Sequence, residues 1–186
     1  MKFSLWMMPL AGLFLVFGET ISSAEDDFQF RVESNLRARV AKVDITPPAD
    51  TPVVGHIRPT SGVRDPLRAG VLLLANEQTR AAIITLDLIN APAELVSTLR
   101  DVVARNTETP RENILVAASH NHSGPGWSRE SAWGREMVAK IGMAAAEAAK
   151  EMRPVTIGYG EDRIDFNINR RKVINGRAVV RLDPEG

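Results

Sequence analysis

Between Arg80 and Ser119 the hydrophobic period of the sequence changes twice, and this restricts the architecture more than any other feature of the chain. Arg80 to Leu88 is an apolar run of strand length. Leu95, Leu99, Val102 and Val103 then recur at helical spacing, with Asn90 as the expected N-cap, Pro92 in the first turn and an end near Asn106. Asn113 to Ser119 is a second apolar run, bounded by Pro110 and by Gly124-Pro125-Gly126. Strand, helix and strand at this spacing predict a βαβ unit with parallel strands and a right-handed crossover. Parallel strands bring their C-terminal ends to one sheet edge, where open α/β sheets bind ligands, so Asp87 is expected to leave the sheet beside His120.

Other segments add to this unit. Arg37 to Ile45 alternates and stops at Thr46-Pro47-Pro48, as a strand leaving into a loop does. Ala69–Ala75 and Arg80–Leu88, separated by Asn76-Glu77-Gln78-Thr79, predict a hairpin. Arg129 to Arg153 carries Val138, Ile141, Ala145, Ala148 and Met152 on one stripe, with Ser128 as cap and Pro154 as stop. Val155–Tyr159 reads as a further strand. Lys172–Ile174 and Arg177–Val180 flank Asn175-Gly176, the signal for a type I′ hairpin. The expected fold class is α/β: a mixed sheet with a βαβ unit and two hairpins, helices packed on the sheet, forming the N-terminal portion of a larger α/β domain.

The chemistry concentrates at the exit of the second parallel strand, in Ser119-His120-Asn121-His122-Ser123-Gly124-Pro125-Gly126. If the backbone stays extended through His122, the two imidazoles project to one face and Ser119 and Asn121 to the other. Two of the chain's 3 histidines then address one metal ion or one substrate atom. In the loop that follows, two glycines allow close backbone approach and positive φ, and backbone N–H groups of Ser123, Gly124 and Gly126 are able to face a ligand. Asp87 has two readings, a partner or ligand beside the metal histidine, or a cap of the following helix. His56, Arg64 and Arg68, on or near the proline-rich loop that runs to about Pro66, read as solvated side chains.

The octet resembles the Thr-His-Thr-His-Ser-Gly-Pro-Gly signature of neutral/alkaline, non-lysosomal ceramidases. Val40-Ala41-Lys42-Val43-Asp44-Ile45-Thr46-Pro47 is similar to that family's opening strand, Ser61 to Ala69 to its next block, and Asn167-Ile168-Asn169-Arg170 to its Asn-Arg-Ser-Pro element, with Arg171 in place of the serine. The resemblance implies a Zn2+-dependent hydrolase that cleaves the N-acyl amide of ceramide to sphingosine and fatty acid. It carries a zinc ligand onto His120, an active-site histidine onto His122 and a site arginine onto Arg170. The family's remaining ligands, a histidine, a glutamate and a tyrosine, lie further along its members. The chain alone is therefore expected to be incomplete and inactive. Two alternatives stay open: another exported metallohydrolase, a non-lipid amidase or phosphoesterase on the same scaffold, and an inactive secreted α/β binding module. A basic patch around Arg64, Arg68, Arg170 and Arg171 would favour an anionic substrate, and an apolar acyl groove would favour ceramide.

The first residues read as an address rather than as fold. Lys2, the apolar run Leu5–Phe17 and Ser22-Ser23-Ala24 predict a signal peptide over 1–24 with cleavage after Ala24, then a tail over 25–36 and the catalytic-type domain over 37–186. The run is shorter than the ~20 residues of a spanning helix, so the mature chain is expected to have no transmembrane segment, to be secreted or periplasmic, and to meet a membrane surface only for access to a lipid substrate. The 23 basic and 23 acidic residues cancel, which gives no electrostatic footprint for nucleic acid. The absence of cysteine excludes disulfides, thiolate metal sites and thiol catalysis.

Overall fold

The computed structural model describes residues 35–49, 51–54, 62–165 and 168–181; the expected signal peptide and nearly all of the tail, with His56, lie outside them. Strand β1 (Arg37–Asp44) pairs antiparallel with β2 (Arg68–Ala75), and β2 with β3 (Arg80–Leu86), as a meander of sequence neighbours. Asn76 closes the β2–β3 turn, its side-chain oxygen accepting from Gln78 N–H at 3.0 Å and Thr79 N–H at 2.8 Å. Helix α1 (Ala93–Thr107) then leads to β4 (Ile114–Ala118), which pairs parallel to β3, Ala82 opposite Ile114 and Leu86 opposite Ala118. Helix α2 (Ala132–Lys150) returns the chain to β5 (Arg153–Pro154), which joins β1 and completes the order β4-β3-β2-β1-β5. A separate two-stranded hairpin, β6 (Arg171–Ile174) and β7 (Arg177–Val180), has Asn175 and Gly176 both left-handed at φ 50 and 74, the type I′ conformation.

Period-two alternation gives the sheet two unlike faces. Val43, Ala69, Val71, Leu73, Ala82, Ile84, Leu86 and Ile114 are buried in one core with the helices, while Val40 and Leu115, of opposite parity, stay more than half exposed. Leu95, Leu99 and Val103, four residues apart, form the inner stripe of α1, and Met137, Ile141, Ala145 and Ala148 that of α2. Val102, expected on the α1 stripe, is partly buried against the core and also abuts α2, where a Cβ on Gly142 would lie 2.8 Å from Val102 Cγ2. Gly142 thus sets how closely the two helices approach.

Three boundaries differ from expectation. Pro92, not Asn90, is the N-cap of α1, its carbonyl accepting from Val96 N–H at 3.0 Å with no side-chain cap. Helix α2 begins later, because Ser131 rather than Ser128 offers its hydroxyl to Gly134 N–H at 2.9 Å. The helix also ends at Lys150, which frees Arg153 and Pro154 to pair with Ala38 and Arg37. Val155 adds one bond to Leu36 O at 3.1 Å, after which residues 155–165 are exposed and form no strand. Among the described residues no helix is long and apolar enough to cross a membrane.

Candidate functional site

Beyond β4 the chain keeps bonding to the continuation of β3, Ser119 N–H to Leu86 O at 2.9 Å and Asn121 N–H to Leu88 O at 3.1 Å. Between those bonds His120 adopts φ 62, so the backbone is not extended through His122. Histidine tolerates the left-handed region better than most residues, at a cost of about 1–3 kcal/mol that the flanking bonds offset. The imidazoles meet nonetheless: their rings stack edge to face with centroids 4.7 Å apart, and the two Nε2 atoms are 3.2 Å apart.

Nδ1 of His120 lies 2.8 Å from Ile89 O. A carbonyl can only accept, so Nδ1 carries the proton, and in the tautomer with Nδ1–H alone Nε2 is the ring's acceptor. Two zinc-bound nitrogens, each ~2.05 Å from the metal at a tetrahedral angle, are about 3.3 Å apart. The Nε2 separation of 3.2 Å is close to that spacing, with the two nitrogens in direct hydrogen-bond contact. Among the described residues no group of three or more His, Cys, Asp or Glu side chains could hold a metal.

Side chains of the other parity face elsewhere, as expected. Ser119, Asn121 and Ser123 line a cavity of about 820 Å³, together with Asp87 and the residues after β1. Hydrogen bonds from Thr46, which lines the cavity, hold the Asp44 carboxyl below the ordinary carboxylate range. Parallel pairing does bring Asp87 to the edge that carries His120, but neither expected role is observed. Its carboxylate accepts from Arg68 N–H at 2.9 Å and lies 3.4 Å from Ser119 Oγ. The Ile89 carbonyl takes the second nitrogen of His120 instead, and α1 has no side-chain cap for Asp87 to supply. The parallel register of β3 and β4, which pairs Leu86 with Ala118, brings Asp87 and Ser119 side by side on the continuations of the two strands.

The glycine loop also differs. Ser123 N–H is taken by Asn121 Oδ1 at 2.7 Å, and Gly124 O accepts from Val54 N–H at 3.1 Å. Of the two roles open to the glycines, close approach is the one used: neither Gly124 nor Gly126 has positive φ, and a Cβ on Gly124 would lie 3.1 Å from Leu67 Cδ1. Arg170 is exposed at the foot of the β6–β7 hairpin, its carbonyl accepting from Arg181 N–H at 3.0 Å, and it bonds to neither histidine. Two anchors were not anticipated: Trp133 Nε1–H donates to Ile45 O at 2.8 Å and Trp127 Nε1–H to Gly134 O at 3.3 Å. Indoles flanking a glycine loop were the available signal, since a half-buried indole N–H needs an acceptor.

The fold is similar to that of neutral ceramidase from Pseudomonas aeruginosa, with a TM-score of 0.52 and 20% identity over 66% of this chain and 23% of that one. A structure described as ceramidase complexed with C2 gives a TM-score of 0.53 and 21% identity over 66% of this chain and 22% of the other. The chain thus spans less than a quarter of the length of the structures it resembles, and the likeness is one of fold. No family model and no curated protein sequence matches the chain.

Proposed function

We propose that the chain forms part of an exported, zinc-dependent amide hydrolase acting on a ceramide-like lipid. The observation that carries this reading is the His120–His122 pair, with Nε2 atoms 3.2 Å apart at a parallel strand exit, in a fold resembling part of neutral ceramidase. Zinc, when bound, would lower the pKa of its water to about 7 and polarise the amide carbonyl. His120, oriented by the Ile89 carbonyl, would hold the metal through Nε2. His122 would hold a proton at Nε2 and deliver it to the leaving nitrogen. The cavity on the other side of the same segment, lined by Ser119, Asn121 and Ser123 and not by the histidines, has both apolar wall and hydroxyl groups.

Charge disfavours the phosphoesterase alternative. Arg64 is within 3.7 Å of Asp65 and Arg68 within 3.9 Å of Asp44, while Arg170 and Arg171 belong to the hairpin, so the described residues form no shared basic patch at the histidines. The test is zinc binding by the full chain, followed by fatty-acid release from a short-chain ceramide. His120→Ala is expected to weaken zinc binding about a hundredfold or more, and His122→Ala to weaken it less while removing the proton donor. The chain alone is expected to bind zinc weakly and to turn over no ceramide, because the described residues bring together fewer than the three protein ligands of a catalytic zinc. A His120→Ala protein that retains stoichiometric zinc would refute the assignment. Zinc-dependent turnover that His120→Ala abolishes would show that the ligand set is complete within this chain.

A further inference from the structure

The cavity on the far side of the Ser119–Ser123 segment contains a carboxylate with no cationic partner among the described residues. Asp87 is met by Arg68 N–H and the Ser119 hydroxyl, whereas the guanidinium groups of Arg68 and Arg64 are paired with Asp44 and Asp65. The same cavity is lined by Ser119, Ser123 and Asn121, whose amide donates to Asp87 O at 3.5 Å and accepts from Ser123 N–H at 2.7 Å, and Pro47, Val53 and Leu67 supply an apolar wall. A half-buried carboxylate gains most from a ligand that brings both a positive charge and a hydrogen-bond donor.

The geometry points to a binding site for a protonated amino alcohol: Asp87 receives the ammonium, Ser119 and Asn121 receive neighbouring hydroxyls, and the apolar wall receives the carbon chain. The choice of amino alcohol rests on the proposed hydrolase function, because cleavage of a ceramide-like amide releases one. The uncleaved amide has no charge and can use only its hydroxyls here. The site therefore favours the product amine over its acylated precursor, and the parity of residues 119–123 places it against the same wall that carries the histidines.

Binding of serinol, N-acetylserinol and glycerol to the full chain, followed by NMR titration without zinc, tests this directly. Serinol is expected to bind saturably, and the two uncharged probes about tenfold more weakly or worse. Asp87→Asn, which retains an acceptor oxygen for Arg68 N–H, is expected to remove that tenfold preference, while Glu147→Gln, an exposed change on α2 outside the cavity lining, changes serinol binding by about twofold or less. Absence of saturable serinol binding, equal affinity for glycerol, or an unchanged preference in Asp87→Asn would each overturn the proposal. An equal loss in both variants would also overturn it, by showing a diffuse field rather than a site. If Asp87→Asn fails to fold, as read by circular dichroism, the three-probe comparison on the unaltered chain decides. Serinol selectivity in a chain without zinc affinity would leave this site standing and remove the hydrolase reading. Zinc-dependent turnover with no amine preference would do the reverse.

Discussion

Gly134→Ala is expected to destabilise the chain by about 3 kcal/mol, lowering Tm by roughly 6–12 °C. Gly134 lies in the first turn of α2, and the segment before the helix wraps closely around it. An added Cβ would lie 2.2 Å from Ser128 O and 2.7 Å from Ser131 Oγ. Neither neighbour can move cheaply: Ser128 O accepts from the Ser131 hydroxyl at 2.9 Å, and Ser131 Oγ caps the helix at Gly134 N–H. Trp127 adds its own bond to Gly134 O. The methyl group must therefore displace a backbone carbonyl, a cap and an indole anchor together. Ser131→Ala, which removes the cap alone, is expected to cost only about 1 kcal/mol. Denaturant unfolding compares the two, and a Gly134→Ala protein no less stable than Ser131→Ala would show that the wrapped segment yields.

Leu86→Ala should cost about 3–4 kcal/mol, and Leu115→Ala no more than about 0.5 kcal/mol. Both are leucines on paired parallel strands. Leu86 is 1% exposed, however, within the core, and Leu115 is 55% exposed on the opposite face of the sheet. Truncating Leu86 leaves a cavity beneath the edge where its carbonyl holds Ser119, so the loss should also loosen the histidine segment. Equilibrium unfolding of both variants checks the facing of the sheet. A costly Leu115→Ala would mean that the second face is covered in solution.

Elements with strong local signals were legible in the sequence. Alternation located β1, apolar runs either side of a four-residue turn located β2 and β3, the change of period located the βαβ unit, and Asn175-Gly176 marked the turn of the last hairpin. Element ends were not legible, because Asn90 and Ser128 are sound caps by residue type, and only the packing of the preceding loops decides that Pro92 and Ser131 occupy those positions. The histidine pair was anticipated through a premise that did not hold. The backbone turns left-handed at His120, and the rings meet because Ile89 O fixes one of them. Asp87 was placed on the correct edge, but its partners are backbone and hydroxyl groups that no spacing rule contains. Gly134 and Gly142 were passed over inside an alanine-rich helix. Glycine costs about 1 kcal/mol relative to alanine there, so its presence in a helix interior was itself a sign of close approach.

The short β5 pairing has a consequence for how the polypeptide is made. Only Arg37 and Ala38 of β1 are covered on that side, and their partners are Pro154 and Arg153. A ribosome adding ~5–20 residues per second needs roughly 6–25 seconds to travel from one partner to the other, while the meander of β1, β2 and β3 has all its own partners within the first stretch emitted. During that interval the rim of the nascent sheet is open to pairing with other chains. Arg37, Arg39 and Lys42 stand along that rim, and their like charges discourage a second copy from docking until the native cover arrives.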